Sequence, residues 1–125
     1  MNVGEIKNTV MFQTNNDIDD LADYLPYLTD YINEGYDKLM YAYAGEHLSE
    51  DKAPTLRAAT DSPHLPEWTH RAIADYATYM VYRNGNPQKQ HRGYAYLSAF
   101  NEAQSAIKGQ GGDKGKARHF FNIPD

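Results

Sequence analysis

The chain has no cysteine, which removes disulfides and thiolate metal ligation and leaves packing alone to hold the fold. It has no long apolar run, and its mean hydropathy is −0.77, so no membrane-spanning helix is expected. Met1 to Lys7 lack the continuous apolar segment of a secretory leader, and residence in the cytoplasm where the chain is made is the expectation. Lys and Arg number 12 against 17 Asp and Glu, a poor balance for general phosphate binding, which needs clustered cations. Recognisable catalytic patterns are missing as well. Five histidines, at positions 47, 64, 70, 91 and 119, form no i, i+4 ligand pair and no His-Glu-x-x-His motif, so no metal is expected. His70 and Asp75 are expected on the same outward side of one helix. They stand more than a turn apart with no nucleophile beside them, and the other acids spread over a solvated face. Neither cofactor nor enzymatic activity is expected.

Two short stretches imitate ligand loops and fail on spacing. Asp17-Ile18-Asp19-Asp20 would need a ligand where Leu21 stands, and the Gly and closing Glu of a calcium loop are absent. Gly109-Gln110-Gly111-Gly112-Asp113-Lys114-Gly115-Lys116 has Gln110 where a phosphate loop needs Gly and Ala117 where it needs a hydroxyl. By composition this second stretch is a flexible linker.

What is present is helical periodicity with clear starts and stops. With 125 residues and 41% apolar content, one modest core is the expectation. Asn2 and Glu5 make a capping pair for a short helix from about Val3 to Gln13, with Val3, Ile6 and Val10 inward. A long central helix is expected from Asp20 to Gly45, with Pro26 in its first turn or at a kink. Leu25, Leu28, Ile32, Tyr36, Leu39 and Tyr43 form its core stripe. The opposite face mixes Tyr27, Tyr31 and Tyr41 with Asp30, Glu34, Asp37 and Lys38. There are 11 tyrosines in all, and rings among charges suit a surface buried against a partner.

From Glu46 to His64 the pattern lapses, which predicts a projecting loop, with a helical turn near Thr55 to Ala59, that contacts a partner or lines a channel. A helical hairpin follows. Pro66 and Glu67 suit a helix start, and Trp68, Ala72, Ile73, Tyr76, Tyr79 and Met80 span an arc of roughly 140°. Asn84-Gly85 stops that helix, and Asn86-Pro87 caps the next. The second arm turns Gly93, Tyr96, Leu97, Phe100, Ala103 and Ile107 inward. Leu28, Ile32, Leu39, Trp68, Ile73, Tyr76, Leu97 and Phe100 are thus the expected core. Beyond the linker, Arg118, Phe120, Phe121 and Ile123 read as a docking arm. The expected organisation is all-α: a four-helix bundle-like domain over residues 1–108, and a linker with an extended arm over 109–125.

Leu65-Pro66-Glu67-Trp68-Thr69-His70-Arg71-Ala72-Ile73-Ala74-Asp75-Tyr76, with Asn84-Gly85-Asn86-Pro87-Gln88-Lys89-Gln90, resembles the head-to-tail connector (adaptor) proteins of tailed bacteriophages and prophages. The likeness extends over about the first 108 residues in helix order and size. It implies a structural virion protein of the phage neck, made in the bacterial cytoplasm. Copies would form a ring, of about twelve subunits, between the portal protein and the next neck or tail-completion protein. DNA would pass through its channel without sequence-specific binding. Charge distribution is compatible with head-to-tail contact, since residues 1–75 carry 14 acidic and 5 basic side chains and residues 76–125 carry 3 and 7. Two other readings stand beside this one. The hairpin could be a helix-turn-helix-like DNA-binding regulator presenting Gln88, Lys89, Gln90, His91 and Arg92, or the chain a non-enzymatic helical adaptor.

Overall fold

The computed structural model describes residues 1–14, 23–45 and 55–110. These are all-α, with four α-helices among the described residues: α1 (Val3–Gln13), α2 (Leu28–Ala44), α3 (His70–Arg83) and α4 (Pro87–Ile107). Short 3₁₀ turns, Leu25–Tyr27 and Glu67–Thr69, lead into α2 and α3.

The expected capping pair starts α1. Asn2 Oδ1 accepts from Glu5 N at 2.8 Å while Glu5 Oε1 accepts from Asn2 N at 3.0 Å, satisfying two donors that a helix start leaves orphaned. Pro26 sits in the 3₁₀ turn ahead of α2, where its missing N–H costs nothing. Leu25 is therefore 45% exposed and outside the stripe, whereas Leu28, Ile32, Tyr36 and Leu39 are fully buried. Asn86 caps α4 as expected, accepting from Lys89 N at 2.9 Å.

Around α3 the other three helices assemble, burying every residue from Ala72 to Thr78. The Met1 end of α1 meets His70 and its Gln13 end meets Asp75 and Thr78, so α1 runs parallel to α3. On a second side Gly35 of α2 meets Tyr76, and Tyr31 meets Asn84, so α2 runs antiparallel. A Cβ at Gly35 would fall 3.0 Å from Tyr76 Cδ2; this glycine admits the ring into the helix surface. On the third side α4 returns antiparallel, with Gly93 under Tyr82 and Phe100 against Tyr76, ring centroids 4.8 Å apart. At its end Gly109 N donates to Ala42 O of α2 at 2.9 Å.

Two expected core residues fall elsewhere. Trp68 is 55% exposed. Its placement inward assumed α winding back from Ala72, but the chain there turns as a 3₁₀ helix at about 120° per residue, and the inner positions go to Thr69 and His70, 0% and 2% exposed. Leu97 is only half-buried, because α4 touches the bundle along the narrow seam of Gly93, Phe100 and Ile107 and Leu97 flanks it. Ile73, Tyr76 and Phe100 are in the core as expected.

The described part of the long connection, residues 55–65, is tied down rather than projecting, and its turn falls at Ala58–Asp61, where Asp61 N donates to Ala58 O at 2.9 Å, slightly beyond the expected Thr55 to Ala59. Leu56 is buried, its N–H and C=O both bound by the Asn33 side chain of α2 at 2.9 and 2.8 Å. Asp61 Oδ2 accepts from Arg57 N and Ala58 N, bonds that hold its carboxyl below the usual range. The carbonyls of Asp61 and Ala59 in turn accept from Val3 N and Gly4 N, donors at the start of α1 that the helix itself cannot satisfy. Residues 46–54 lie outside the described residues.

Tyrosine supplies the cross-ties of this core. Tyr24, Tyr36, Tyr76 and Tyr82 are buried, and each phenol bonds a different segment: Thr14 Oγ1, the His64 N–H, Glu34 Oε1 and Gln13 O. Burial pushes the Tyr36 phenol up to about 12, so it stays neutral at physiological pH.

Candidate functional site

The two arms of the hairpin turn at Asn84–Asn86, and α2 begins at the same end of the bundle because it runs antiparallel to α3. A cleft of about 260 Å³ opens between them. Tyr24, Tyr27 and Tyr31 line it on one side and Val81, Asn84 and Gly85 on the other, together with Asp23 and Lys89. Tyr24 is fixed by its bond to Thr14 at 3.0 Å. Tyr31 accepts from Asn84 Nδ2 at 3.2 Å, and the same amide caps α3 through Met80 O. The Tyr27 ring lies 6.4 Å from that of Tyr31, tilted by 31°, and is 55% exposed. A Cβ at Gly85 would meet Lys89 Cδ at 2.7 Å, so the lysine stem lies on the bare turn backbone. Leu25 and Phe12 are also exposed, Phe12 by 74%. Phe12 lies two residues before Thr14, at the α1 end that Tyr24 touches. Aromatic walls with one acid and one base suit an apolar side chain or short peptide.

Two of the expected contact residues, Tyr27 and Tyr31, thus come together in one cleft. Tyr41 is 66% exposed but lies about 15 Å farther along α2. Arg118, Phe120, Phe121 and Ile123 lie outside the described residues. Sequence reasoning missed Val81, Asn84 and Lys89 as neighbours of these tyrosines. Only the antiparallel order of α2 and α3, which periodicity does not encode, could have placed them there.

His70 and Asp75, expected to face outward, are instead buried, with 2% and 9% exposure, because α1 covers that side of α3. His70 Nε2 faces Leu65 O at 2.9 Å, and Nδ1 lies 2.9 Å from the Met1 amino nitrogen. Asp75 Oδ1 accepts from Gln13 Nε2 at 2.9 Å, and Gln13 Oε1 accepts from Thr78 Oγ1 at 2.6 Å. Among the described residues no buried side-chain polar atom lacks a hydrogen bond, so these groups serve as internal ties. No three His, Asp or Glu side chains among the described residues could hold a metal ion, and no helix there is long and apolar enough to cross a membrane.

Burial pushes the Asp75 carboxyl above its ordinary value, against the Gln13 hydrogen bond and the Arg71 charge, which lower it. The folded chain therefore holds this proton more tightly than the unfolded chain. The stability linked to it is complete below the unfolded-state pKa and is lost as pH rises through the folded-state value. Asp75→Asn keeps an oxygen to accept from Gln13 and removes the titration. Its melting temperature relative to the parent is expected to climb as pH rises above the ordinary aspartate value of about 4, and a difference that does not vary with pH would contradict the assignment.

Comparison of the chain with protein-family models, with characterised proteins and with solved structures gives no match.

Proposed function

We propose that the chain is a structural subunit of a head-to-tail connector in a tailed bacteriophage or prophage. Copies stand as a ring in the virion neck between the portal and the next neck or tail-completion protein, with DNA passing through. The observation that carries this reading is the pairing of an internally satisfied helical scaffold with an exposed aromatic end. The described interior leaves no polar side chain open, while Phe12, Leu25 and Tyr27 are exposed at the end where Tyr27 and Tyr31 line the cleft. Exposed aromatic clusters are where association gains most from burial. The likeness of Leu65 to Tyr76 and Asn84 to Gln90 to connector proteins supports the same reading. So does the hairpin: α3 and α4 pair antiparallel from Tyr82 and Gly93 to Tyr76 and Phe100, unlike the crossed helices of a compact DNA-reading motif. Lys89, which a DNA reader would offer to the groove, lies along Gly85 in the cleft.

The test is sedimentation of the purified protein with DNA-filled, portal-bearing heads. It is expected to bind the heads and reduce DNA loss from them. With DNA alone at physiological salt, no tight sequence-dependent binding is expected, and changing Lys89 and Arg92 together to Ala should alter nothing specific. A nanomolar complex with a defined sequence, lost in that double variant, and no binding to heads would replace this reading with a regulator.

A further inference from the structure

We infer that the cleft of one copy receives the segment Arg118–Ile123 of a second copy, so that subunits associate head to tail. The inference deepens the reading of the cleft as a contact surface and does not depend on which larger assembly that surface serves.

Chemistry comes first. The segment offers Phe120, Phe121 and Ile123 within four residues, and the cleft offers Tyr24, Tyr27, Tyr31 and Val81. Lys114, Lys116 and Arg118 precede the apolar residues. Asp23 lines the cleft together with Lys89, and Asp30 is exposed one residue before Tyr31, so Asp23 and Asp30 are the acids that the basic residues of the segment would meet.

Reach then decides between copies. The tail departs at Gln110, where Gly109 is tied to the far end of α2. The cleft lies by Lys89, so the length of α4 between Lys89 and Ile107 separates them by about 27 Å. Ten residues from Gln110 to Phe120, rich in glycine, span about 16–19 Å as a coil and about 35 Å when taut. Return to the chain's own cleft needs the linker drawn out to roughly three quarters of its taut length, well beyond its coil span. A second copy whose cleft end abuts this end lies within ordinary coil reach. Because cleft and tail are different surfaces, the contact is heterologous and propagates into a ring or filament. Tyr41, next to the Ala42 that anchors the tail's root, is the competing seat within one copy.

The experiment uses the full chain alone, as the parent and two variants, with mass followed by sedimentation velocity over a concentration series. Tyr27→Asp spoils the cleft at an exposed position. Phe120→Ala with Phe121→Ala spoils the tail. Helix content of both, and their melting at concentrations where sedimentation shows the parent as monomer, should match the parent. The parent is expected to self-associate, with at least a tenfold weaker apparent affinity in each variant. An equimolar mixture of the two variants should give a one-to-one dimer and nothing larger, since one contributes a sound tail and the other a sound cleft. In parallel, a photoreactive phenylalanine in place of Phe121, in isotope-labelled protein mixed with unlabelled, should cross-link to residues 23–31 of the other copy. A monomeric parent, association indifferent to both changes, no dimer on mixing, or cross-links within one copy or to Tyr41 would each overturn the inference. Binding to phage heads is scored separately, so the connector reading can stand where this one fails, and the reverse.

Discussion

Phe100→Ala is expected to destabilise the domain by about 3–5 kcal/mol, and Trp68→Ala by less than about 1 kcal/mol. Phe100 is 2% exposed and packs on Tyr76 at a ring-centroid distance of 4.8 Å. On α4 the other buried residues are Gly93 and Ile107, so Phe100 is the large side chain in the middle of the seam. Its removal opens a void between α3 and α4 that rigid helices cannot close, adding a cavity cost to the lost transfer energy. The better helix propensity of alanine returns only about 0.5 kcal/mol. Against the roughly 5–15 kcal/mol of an ordinary domain this is a large fraction, equivalent to a fall in melting midpoint of about 15 °C. Trp68, the bulkier side chain, is 55% exposed and leaves no cavity when trimmed. Urea unfolding followed by far-ultraviolet circular dichroism checks both. Equal losses in the two variants would mean that Trp68 packs inward.

Gln13→Ala is expected to cost about 2–4 kcal/mol, far more than a glutamine at a helix end ordinarily would. Gln13 is 8% exposed and joins α1 to α3 through three contacts: Nε2 to Asp75, Oε1 from Thr78 and its carbonyl from Tyr82. Alanine keeps only the last. The Asp75 carboxyl then loses a donor and Thr78 an acceptor, both in a site that α1 shields from water, and each unsatisfied group bears its desolvation penalty. The Gln13 bond is one of the influences lowering the Asp75 carboxyl, so its loss should raise that group further and make the variant's deficit larger at neutral than at acid pH. A double-mutant cycle provides the check. In an Asp75→Ala background the Gln13 substitution should cost at least about 1 kcal/mol less, and strict additivity would show that the two side chains do not interact.

Association through the cleft would alter both measurements, because binding of folded subunits stabilises them by mass action. Unfolding is therefore best compared at concentrations where sedimentation shows monomer.

Features decided within a few residues were legible in the chain. The Asn2 and Glu5 capping box, the bounds of α1, the Asn86-Pro87 start of α4 and its end at Ile107 all follow from local hydrogen-bond supply and helical spacing. Gly93 could likewise be read as a point of close approach, because a missing side chain in an apolar stripe has few other uses. Tyr27 and Tyr31 could be placed together away from the core stripe, and both line the cleft. What periodicity could not supply was which polar residues another helix would cover. Asp75, His70 and Thr78 look outward when α3 is taken alone, and they lie inside because Gln13, some sixty residues earlier, and the Met1 and Leu65 backbones bring partners to them. Trp68 stands outside because the turn that buries Thr69 and His70 winds more tightly than an α-helix. The cleft itself exists because α2 opposes α3, which sets Tyr31 of that helix and Tyr27 just ahead of it against the turn of a hairpin more than fifty residues away. Local patterns report the desolvation preference of single side chains, whereas the location of a polar group or a cleft depends on pairings between distant segments that only the assembled core selects.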